Sequence, residues 1–170
     1  MTTEDRAALT AALSHSREVL LAALEGDDES WYRKEGDGWS VAEVMEHLWI
    51  TEFGVSKVVL PRLLSGPPAE GPSPRSDSFL MERTRDRSSK IAAPERVTPK
   101  NAGMARQQSI ERFLDLRAQL SAFVDTVESD LRSFRSPHPV FGPVDGCQWI
   151  LLVAAHMERH AAQITQLKSA

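Results

Sequence analysis

The sequence has almost no cysteine, no excess of positive charge and no long apolar run, and each deficit excludes a class of protein. The single cysteine, Cys147, excludes an internal disulfide and favours a reducing cytoplasm. The formal net charge of −4 argues against a general nucleic-acid binder, which would be strongly basic. The run from Gly146 to Met157 lacks Asp, Glu, Lys and Arg but stops at 12 residues, whereas about 20 span a bilayer. We therefore expect a cytoplasmic protein with neither a nucleic-acid nor a membrane partner.

Helical periodicity is what the sequence does contain. Apolar residues recur every three or four positions in four segments, and no segment of useful length alternates as a half-buried strand would. The four segments are about 3–25, 40–64, 101–134 and 145–168. A chain of 170 residues has the size of one domain. We therefore predict that residues 1–170 form a single all-α domain, a four-helix bundle.

Two of the four helix starts carry capping signals. Ser40 and Glu43 form an S-x-x-E capping box, and Asp145 and Gln148 have the same spacing at the fourth segment. In each pair, both side chains can bond backbone N–H groups that would otherwise lack partners in the first turn. Pro61 is expected to kink or end the second helix.

The segment 65–100 differs in character from the helices around it. It holds six prolines and many polar residues, with one short helical pattern near 78–89. A loop this long in a compact domain is usually functional or a crossover, so we predict a long crossover between the second and third helices. The stretch from Arg75 to Arg106 has eight basic and four acidic residues. We interpret it as solvated surface rather than as a region that steers an anionic substrate.

Three histidines are predicted to face the bundle interior. His156 and His160 are four residues apart, so on a helix they lie about 40° apart, within the apolar stripe. His47 shares the apolar side of the second helix. An i, i+4 histidine pair with a third ligand from another element is a common way to bind a divalent metal. Spacing alone leaves two interpretations open: a metal site, or core histidines that bond backbone carbonyls or carboxylates.

Three further residues are candidates for the surroundings of these histidines. Thr51 and Gln163 each follow a histidine by about one turn, and they either orient it and contact substrate or are ordinary polar residues at the rim. Trp149 either lines the pocket or packs in the core, and we favour the core. Glu158 lies about 200° around the helix from the first histidine of the pair, so we interpret it as a solvated surface acid.

Two stretches of the sequence resemble the DinB/YfiT-like family of metal-dependent bundle proteins. The first stretch is GWSVAEVMEHLWITE, and the second is HPVFGPVDGCQWILLVAAHMERHAAQITQLK. The matching features are the Trp-Ser helix start, the histidine seven residues after that serine, and the H-x-x-x-H of the last helix. The resemblance covers most of the chain from about Trp39 onward.

The resemblance implies a topology, a metal triad and a range of activities. It implies an up-down-down-up bundle whose triad falls on His47, His156 and His160, with zinc or nickel as the usual ion. Characterised members include S-transferases and isomerases that use a low-molecular-weight thiol such as bacillithiol, mycothiol or glutathione. Several members form homodimers, and many have no known activity.

We therefore predict a metal-dependent enzyme that acts on a small-molecule substrate. The predicted chemistry is thiol-dependent S-transfer or hydrolysis at a three-histidine divalent metal site. Two other interpretations stay open: a non-catalytic metal-binding or stress-related bundle, and a helical interaction module whose histidine cluster holds no metal. No catalytic residue is assigned from the sequence.

Overall fold

A computed structural model describes residues 1–26, 29–34, 36–88, 92–100 and 102–169, and it confirms the predicted four-helix bundle. In chain order the elements are α1 (Thr3–Leu24), α2 (Val41–Gly54), a π-turn (Val55–Val59), α3 (Leu60–Leu64), α4 (Asp77–Arg85), a 3-10 turn (Glu95–Val97), α5 (Arg106–Thr126), a second 3-10 turn (Leu131–Ser133), β1 (Arg135–His138), β2 (Gly142–Asp145) and α6 (Gly146–Ser169). The four long helices are α1, α2, α5 and α6, and α2 is extended by the π-turn and α3.

Contacts between helix ends show that α1 and α6 run in the same direction. Arg132 bonds both Asp5, in the first turn of α1, and Asp145, the residue before α6. At the other end, Lys168 of α6 donates to the carbonyl of Ala23 of α1 at 3.0 Å. The two helices therefore begin together and end together.

The remaining two helices run the opposite way. Arg106, at the start of α5, donates to the carbonyl of Leu24 at the end of α1, so α5 is antiparallel to α1. The α2 helix runs alongside α5, because Glu52 pairs with Arg117 and, further along both elements, Lys57 bonds Gln119. This arrangement is the up-down-down-up topology implied by the family resemblance.

Both predicted capping boxes form. The Glu43 amide donates to Ser40 Oγ at 3.3 Å, and Glu43 Oε2 accepts from the Ser40 amide at 2.8 Å. At α6, the Gln148 amide donates to Asp145 Oδ1 at 2.8 Å, and Gln148 Oε1 accepts from the Asp145 amide at 3.2 Å. The sequence therefore located these two helix starts correctly, because each cap is made by side chains of fixed spacing.

The second helical segment ends at Leu64 as predicted, but its irregularity precedes the proline expected to cause it. The π-turn Val55–Val59 lies before Pro61, and the Leu60 amide bonds back to the carbonyl of Val55. Pro61 then occupies the first turn of α3, where a missing N–H is not needed. The widened turn thus accommodates the proline ring without ending the helix.

The third predicted helix is wrong at its C-terminal end, because α5 ends at Thr126 rather than Phe134. Val127 has extended backbone, and Leu131 begins a separate 3-10 turn that the Asp130 carboxylate caps by accepting from the Arg132 amide. Both apolar residues remain buried, with Leu131 at 0% exposure. The apolar spacing of these residues therefore reflects their burial, and it does not require a continuous helix.

At the N-terminal end of the third predicted helix, Asn101 lies outside the described residues, and α5 begins at Arg106.

A short hairpin precedes α6, although no strand was expected there. The strands β1 and β2 pair antiparallel, with Pro137 opposite Pro143. A two-stranded ribbon tolerates these prolines because each strand keeps a free edge, and proline favours the extended φ that both strands need. Four-residue strands built around prolines carry too little alternation to be recognised from sequence.

The predicted crossover contains the short helix α4, which packs along α6. Its predicted range, 78–89, is close to Asp77–Arg85, although residue 89 lies outside the described residues. Arg85 forms a two-point ion pair with Glu158 of α6, at 2.8 and 2.9 Å. The interpretation of Glu158 as a solvated surface acid is therefore wrong, because that acid attaches the crossover to the bundle.

A buried ion pair lies among the apolar side chains of the core. The Arg117 guanidinium makes two hydrogen bonds to the Glu52 carboxylate, at 2.8 and 2.7 Å, and its remaining nitrogen bonds the Leu13 carbonyl and Ser16 Oγ at 2.9 Å. The exposed fractions of the two charged side chains are 2% and 3%. Removing one partner would leave an uncompensated charge in the core.

We predict that Arg117→Met lowers the free energy of unfolding by about 3–5 kcal/mol, because it leaves the Glu52 carboxylate buried and unpaired. The double variant Arg117→Met/Glu52→Gln should lose less, since both charges are gone. Urea denaturation followed by circular dichroism measures both. The matched control is Lys57→Met, at an exposed site, which should change stability by no more than about 0.5 kcal/mol. An Arg117→Met loss no larger than the control's would contradict the account.

Candidate metal centre

The structure brings the three predicted histidines together, from two helices. His47 lies on α2, and His156 and His160 lie one turn apart on α6. His156 Nε2 is 3.2 Å from His47 Nε2 and 3.1 Å from His160 Nε2. One nitrogen from each ring lies within 4.8 Å of the others. The three imidazoles therefore present their Nε2 atoms to a common point.

The two spacings measured from His156 Nε2 match the bite of a tetrahedral metal. Two metal–nitrogen bonds of about 2.0–2.1 Å that meet at the tetrahedral angle hold their nitrogens about 3.3 Å apart. The observed 3.2 and 3.1 Å are close to that value. Ordinary hydrogen bonding cannot satisfy all three nitrogens at once, because His156 Nε2 faces two other ring nitrogens. The donor set therefore fits one divalent ion that accepts imidazole ligands.

The outer nitrogens of two rings are held by partners that fix their orientation. His47 Nδ1 lies 2.8 Å from the carbonyl oxygen of Val97, in the crossover. His160 Nδ1 lies 2.8 Å from Gln163 Oε1, one turn further along α6. Because both partners are oxygens that accept, each Nδ1 carries the proton and each Nε2 keeps its lone pair. Such outer partners commonly orient metal-binding histidines.

Burial keeps all three imidazoles uncharged. It lowers the pKa of His160 to about 3, with the charge of His47 acting in the same direction. Burial and the two neighbouring imidazoles hold the pKa of His156 well below its ordinary value. The pKa of His47 is also lowered by burial, although its bond to the Val97 carbonyl opposes the shift. Neutral rings are the form that binds metal, so the site is ready to accept an ion at neutral pH.

A large cleft opens beside the histidines. Its volume is about 1840 Å³, and it lies between the bundle, the crossover and the hairpin. Trp39 lines it and packs on His47, with ring centroids 4.9 Å apart. From the hairpin, His138 lines another wall and packs on Trp149 at 4.8 Å. A substrate in this cleft would therefore contact aromatic surfaces close to the histidines.

The three additional candidate residues all line this cleft. Gln163 bonds His160, as described above. Thr51 lies beside His47 on α2, and its buried Oγ1 has no hydrogen-bond partner. Trp149 is 7% exposed and donates to Ser136 Oγ at 2.9 Å, so it contributes both to the core and to the wall. Their roles towards metal or substrate stay predictions.

Sequence reasoning missed two parts of this site. The Val97 carbonyl is a backbone group, so no side-chain pattern identifies it. His138 was not among the predicted site residues, because the hairpin that carries it to the cleft was not recognised. Its position between two prolines was the one available signal, since proline restricts the backbone to extended conformations.

Comparison with known proteins gives the same fold and family. The DinB superfamily model matches residues 5–164. The chain is 27% identical over 143 residues to YuaE of Bacillus subtilis strain 168, an uncharacterized protein, and the match covers 84% of this chain and 85% of YuaE. The structure is similar to YfiT of Bacillus subtilis, "a probable metal-dependent hydrolase with an unusual four-helix bundle topology". That match has a TM-score of 0.66, 19% identity, and covers 99% of this chain and 89% of YfiT, so it bears on the fold alone.

We predict that the metal-free protein loses stability as the pH falls from about 6.5 to 5. In that window the unfolded chain binds protons on histidines, whose ordinary pKa is about 6.5, whereas the folded chain binds fewer, because burial lowers the pKa of all three imidazoles and that of His160 to about 3. Each histidine adds a slope of at most about 1.4 kcal/mol per pH unit. Urea denaturation at several pH values measures it. The triple variant His47→Gln/His156→Gln/His160→Gln should show a flatter dependence, and an unchanged slope would contradict the assignment.

Proposed function

The chain belongs to the DinB superfamily, and from that premise we propose that His47, His156 and His160 bind one divalent ion for enzymatic chemistry on a small molecule. The observation that carries the proposal is that three neutral imidazoles converge, with His156 Nε2 3.2 Å from His47 Nε2 and 3.1 Å from His160 Nε2. Three protein ligands leave one tetrahedral position open, which is typical of catalytic rather than structural zinc sites. The adjoining cleft offers room for a substrate at that position.

Zinc or nickel is the ion that we propose. Neutral imidazole is a borderline ligand that suits zinc, nickel, copper and iron, whereas magnesium and calcium prefer oxygen. No Cys, Asp or Glu joins the three histidines as a ligand within the described residues. An all-nitrogen donor set therefore supports a late transition metal or zinc over a hard cation.

The proposed reaction is thiol-dependent S-transfer or hydrolysis. A bound divalent ion would lower the pKa of a coordinated water towards neutrality and deprotonate a coordinated thiol. The three imidazoles stay unprotonated at neutral pH, so they remain able to hold the ion while the fourth position would take water or a thiol. A low-molecular-weight thiol is accordingly a candidate co-substrate, and the hydrolase description of YfiT supports the second reaction class.

Residues around the histidines have separate proposed tasks. Gln163 and the Val97 carbonyl hold the rings in the tautomer that exposes Nε2. Thr51 Oγ1 is a buried donor that lacks a partner within the described chain, so it is free to bond a ligand at the open position. Trp149, packed on His138, supplies a rigid apolar wall for a substrate.

Two other functions are distinguished by experiment. A non-catalytic metal-binding or stress-related bundle would bind the ion but turn over no substrate in a screen of thiols and hydrolysable esters or amides. A helical interaction module would bind no ion at all. The converging Nε2 atoms favour metal binding over the second alternative, because one ion would satisfy the buried lone pairs of His47 and His160 together with His156.

We propose a cytoplasmic homodimer in which residues 1–170 form one domain, and light scattering at micromolar concentration tests the oligomeric state. The two clusters of the apolar core share the helices α1, α5 and α6, which supports one domain. Among the described residues, no helix is both long and apolar enough to cross a membrane.

We predict that protein purified without an affinity tag binds about one zinc or nickel ion per chain, and that His47→Ala, His156→Ala or His160→Ala each weakens binding sharply. The reason is that two imidazoles seldom hold an ion without a third. Elemental analysis after dialysis against a defined metal buffer measures the stoichiometry. His15→Ala is the matched control, since His15 is exposed on α1. Unchanged stoichiometry in His47→Ala would refute the proposed site.

A further inference from the structure

Most of the charged residues that line the cleft beside the histidines are arginines. Seven arginines line it, and Asp37 is the one acidic residue that lines it within the described chain. This observation differs from the sequence interpretation, which took the basic stretch from Arg75 to Arg106 as solvated surface. The inference drawn here rests on the proposed function, because it concerns what enters the same cleft.

Several of these arginines have no carboxylate to balance their charge. Arg75 donates to the Phe141 carbonyl, and Arg135 donates to the carbonyls of the segment 70–72. Arg87 donates to the Arg159 carbonyl and to a glutamine amide oxygen. Burial and the nearby charge of Arg159 both lower the pKa of Arg87. Neutral acceptors satisfy the N–H groups but leave the positive field intact.

Arg96 is the arginine placed to contact a ligand. It belongs to the 3-10 turn Glu95–Val97, directly before the residue whose carbonyl accepts from His47. It lines the cleft, it is exposed, and its guanidinium forms no hydrogen bond or ion pair within the described chain. A planar guanidinium with free donors is the group that best matches a carboxylate.

His138 supplies a second donor on the wall of the same cleft. Its Nδ1 accepts from the amides of Val140, at 3.1 Å, and Phe141, at 3.4 Å, so its proton lies on Nε2. That Nε2 has no hydrogen-bond partner within the described chain. Arg96 and His138 line the same cleft, and burial together with the charge of Arg96 lowers the pKa of His138 to about 4, which leaves the ring neutral.

We propose that Arg96 and His138 form a subsite for the carboxylate of an anionic substrate whose reacting end lies at the three histidines. One unpaired guanidinium and one neutral N–H donor match a single negative charge better than a dianion. The rest of the cleft suits an apolar body, because Val58, Phe79 and Val140 line it while 48–58% exposed. The substrate class is therefore a small carboxylic acid with an apolar chain or ring.

The first test uses the metal-free protein and needs no turnover. Binding of 3-phenylpropionate, its neutral amide 3-phenylpropanamide and inorganic phosphate is measured by NMR titration. We expect the carboxylate to bind about tenfold more tightly than the amide, as for a charge-assisted hydrogen bond. Arg96→Gln should abolish most of that preference. Arg17→Gln, which removes an equal charge from an exposed site on α1 outside the cleft, should retain it.

The second test uses cobalt-loaded protein and places the subsite relative to the histidines. Binding of 3-mercaptopropionate and of its amide, 3-mercaptopropanamide, is followed through the cobalt absorption spectrum. We expect both thiols to change the spectrum and the carboxylate to bind more tightly, with the advantage lost in Arg96→Gln but kept in Arg17→Gln.

The outcomes separate the subsite from the proposed function. Equal binding of 3-phenylpropionate and its amide, a preference that survives Arg96→Gln, or tighter binding of phosphate than of the carboxylate would each overturn the subsite. A protein that binds no cobalt contradicts the proposed function, while the metal-free titration still decides the subsite.

Discussion

The ion pair between Arg117 and Glu52 fixes the position of α2, and the geometry of the site depends on that position. Arg117 also contacts α1 through the Leu13 carbonyl and Ser16, and α6 through the sulfur of Met157 at 3.7 Å. A shift of α2 by one turn would leave two charges buried and unpaired, at a cost of about 3–5 kcal/mol. Glu52 lies on the helix that carries His47, and Met157 is adjacent to His156 in sequence. The same contact therefore sets the helix register that brings the imidazoles together.

The crossover contributes groups to the site that the four long helices do not provide. Its helix α4 is attached to α6 by the pair between Arg85 and Glu158, and its 3-10 turn brings the Val97 carbonyl to His47. The same turn carries Arg96 into the cleft. The bundle thus positions the imidazoles, whereas the crossover orients one of them and determines which charges an incoming molecule meets. This division follows a general pattern in which a rigid scaffold positions loops that carry specificity.

Periodicity and capping signals were sufficient to predict the bundle, because both are properties of side chains at fixed local spacing. The same periodicity put all three histidines on interior faces, and the helix starts at Ser40 and Asp145 follow from their caps. Long-range partners were not predictable. The carbonyl of Val97 is 50 residues from His47, and the partner of Glu158 is 73 residues away on the crossover. Leu131 shows a second limit of prediction from sequence. Its apolar spacing predicts a helix, but the same spacing also fits a buried 3-10 turn, which is where the residue lies.

The central claim is that three imidazoles share one ion, and zinc K-edge absorption fine structure of the zinc-loaded protein tests it most directly. The account predicts a first shell of four light atoms, with zinc–nitrogen distances of about 2.0–2.1 Å. Outer-shell scattering should correspond to three imidazole rings, with the fourth ligand not an imidazole. A spectrum with fewer than three imidazoles, or with a sulfur shell, would contradict it. Within the described residues, the three histidines are the group placed to bind an ion, and no cysteine belongs to that group.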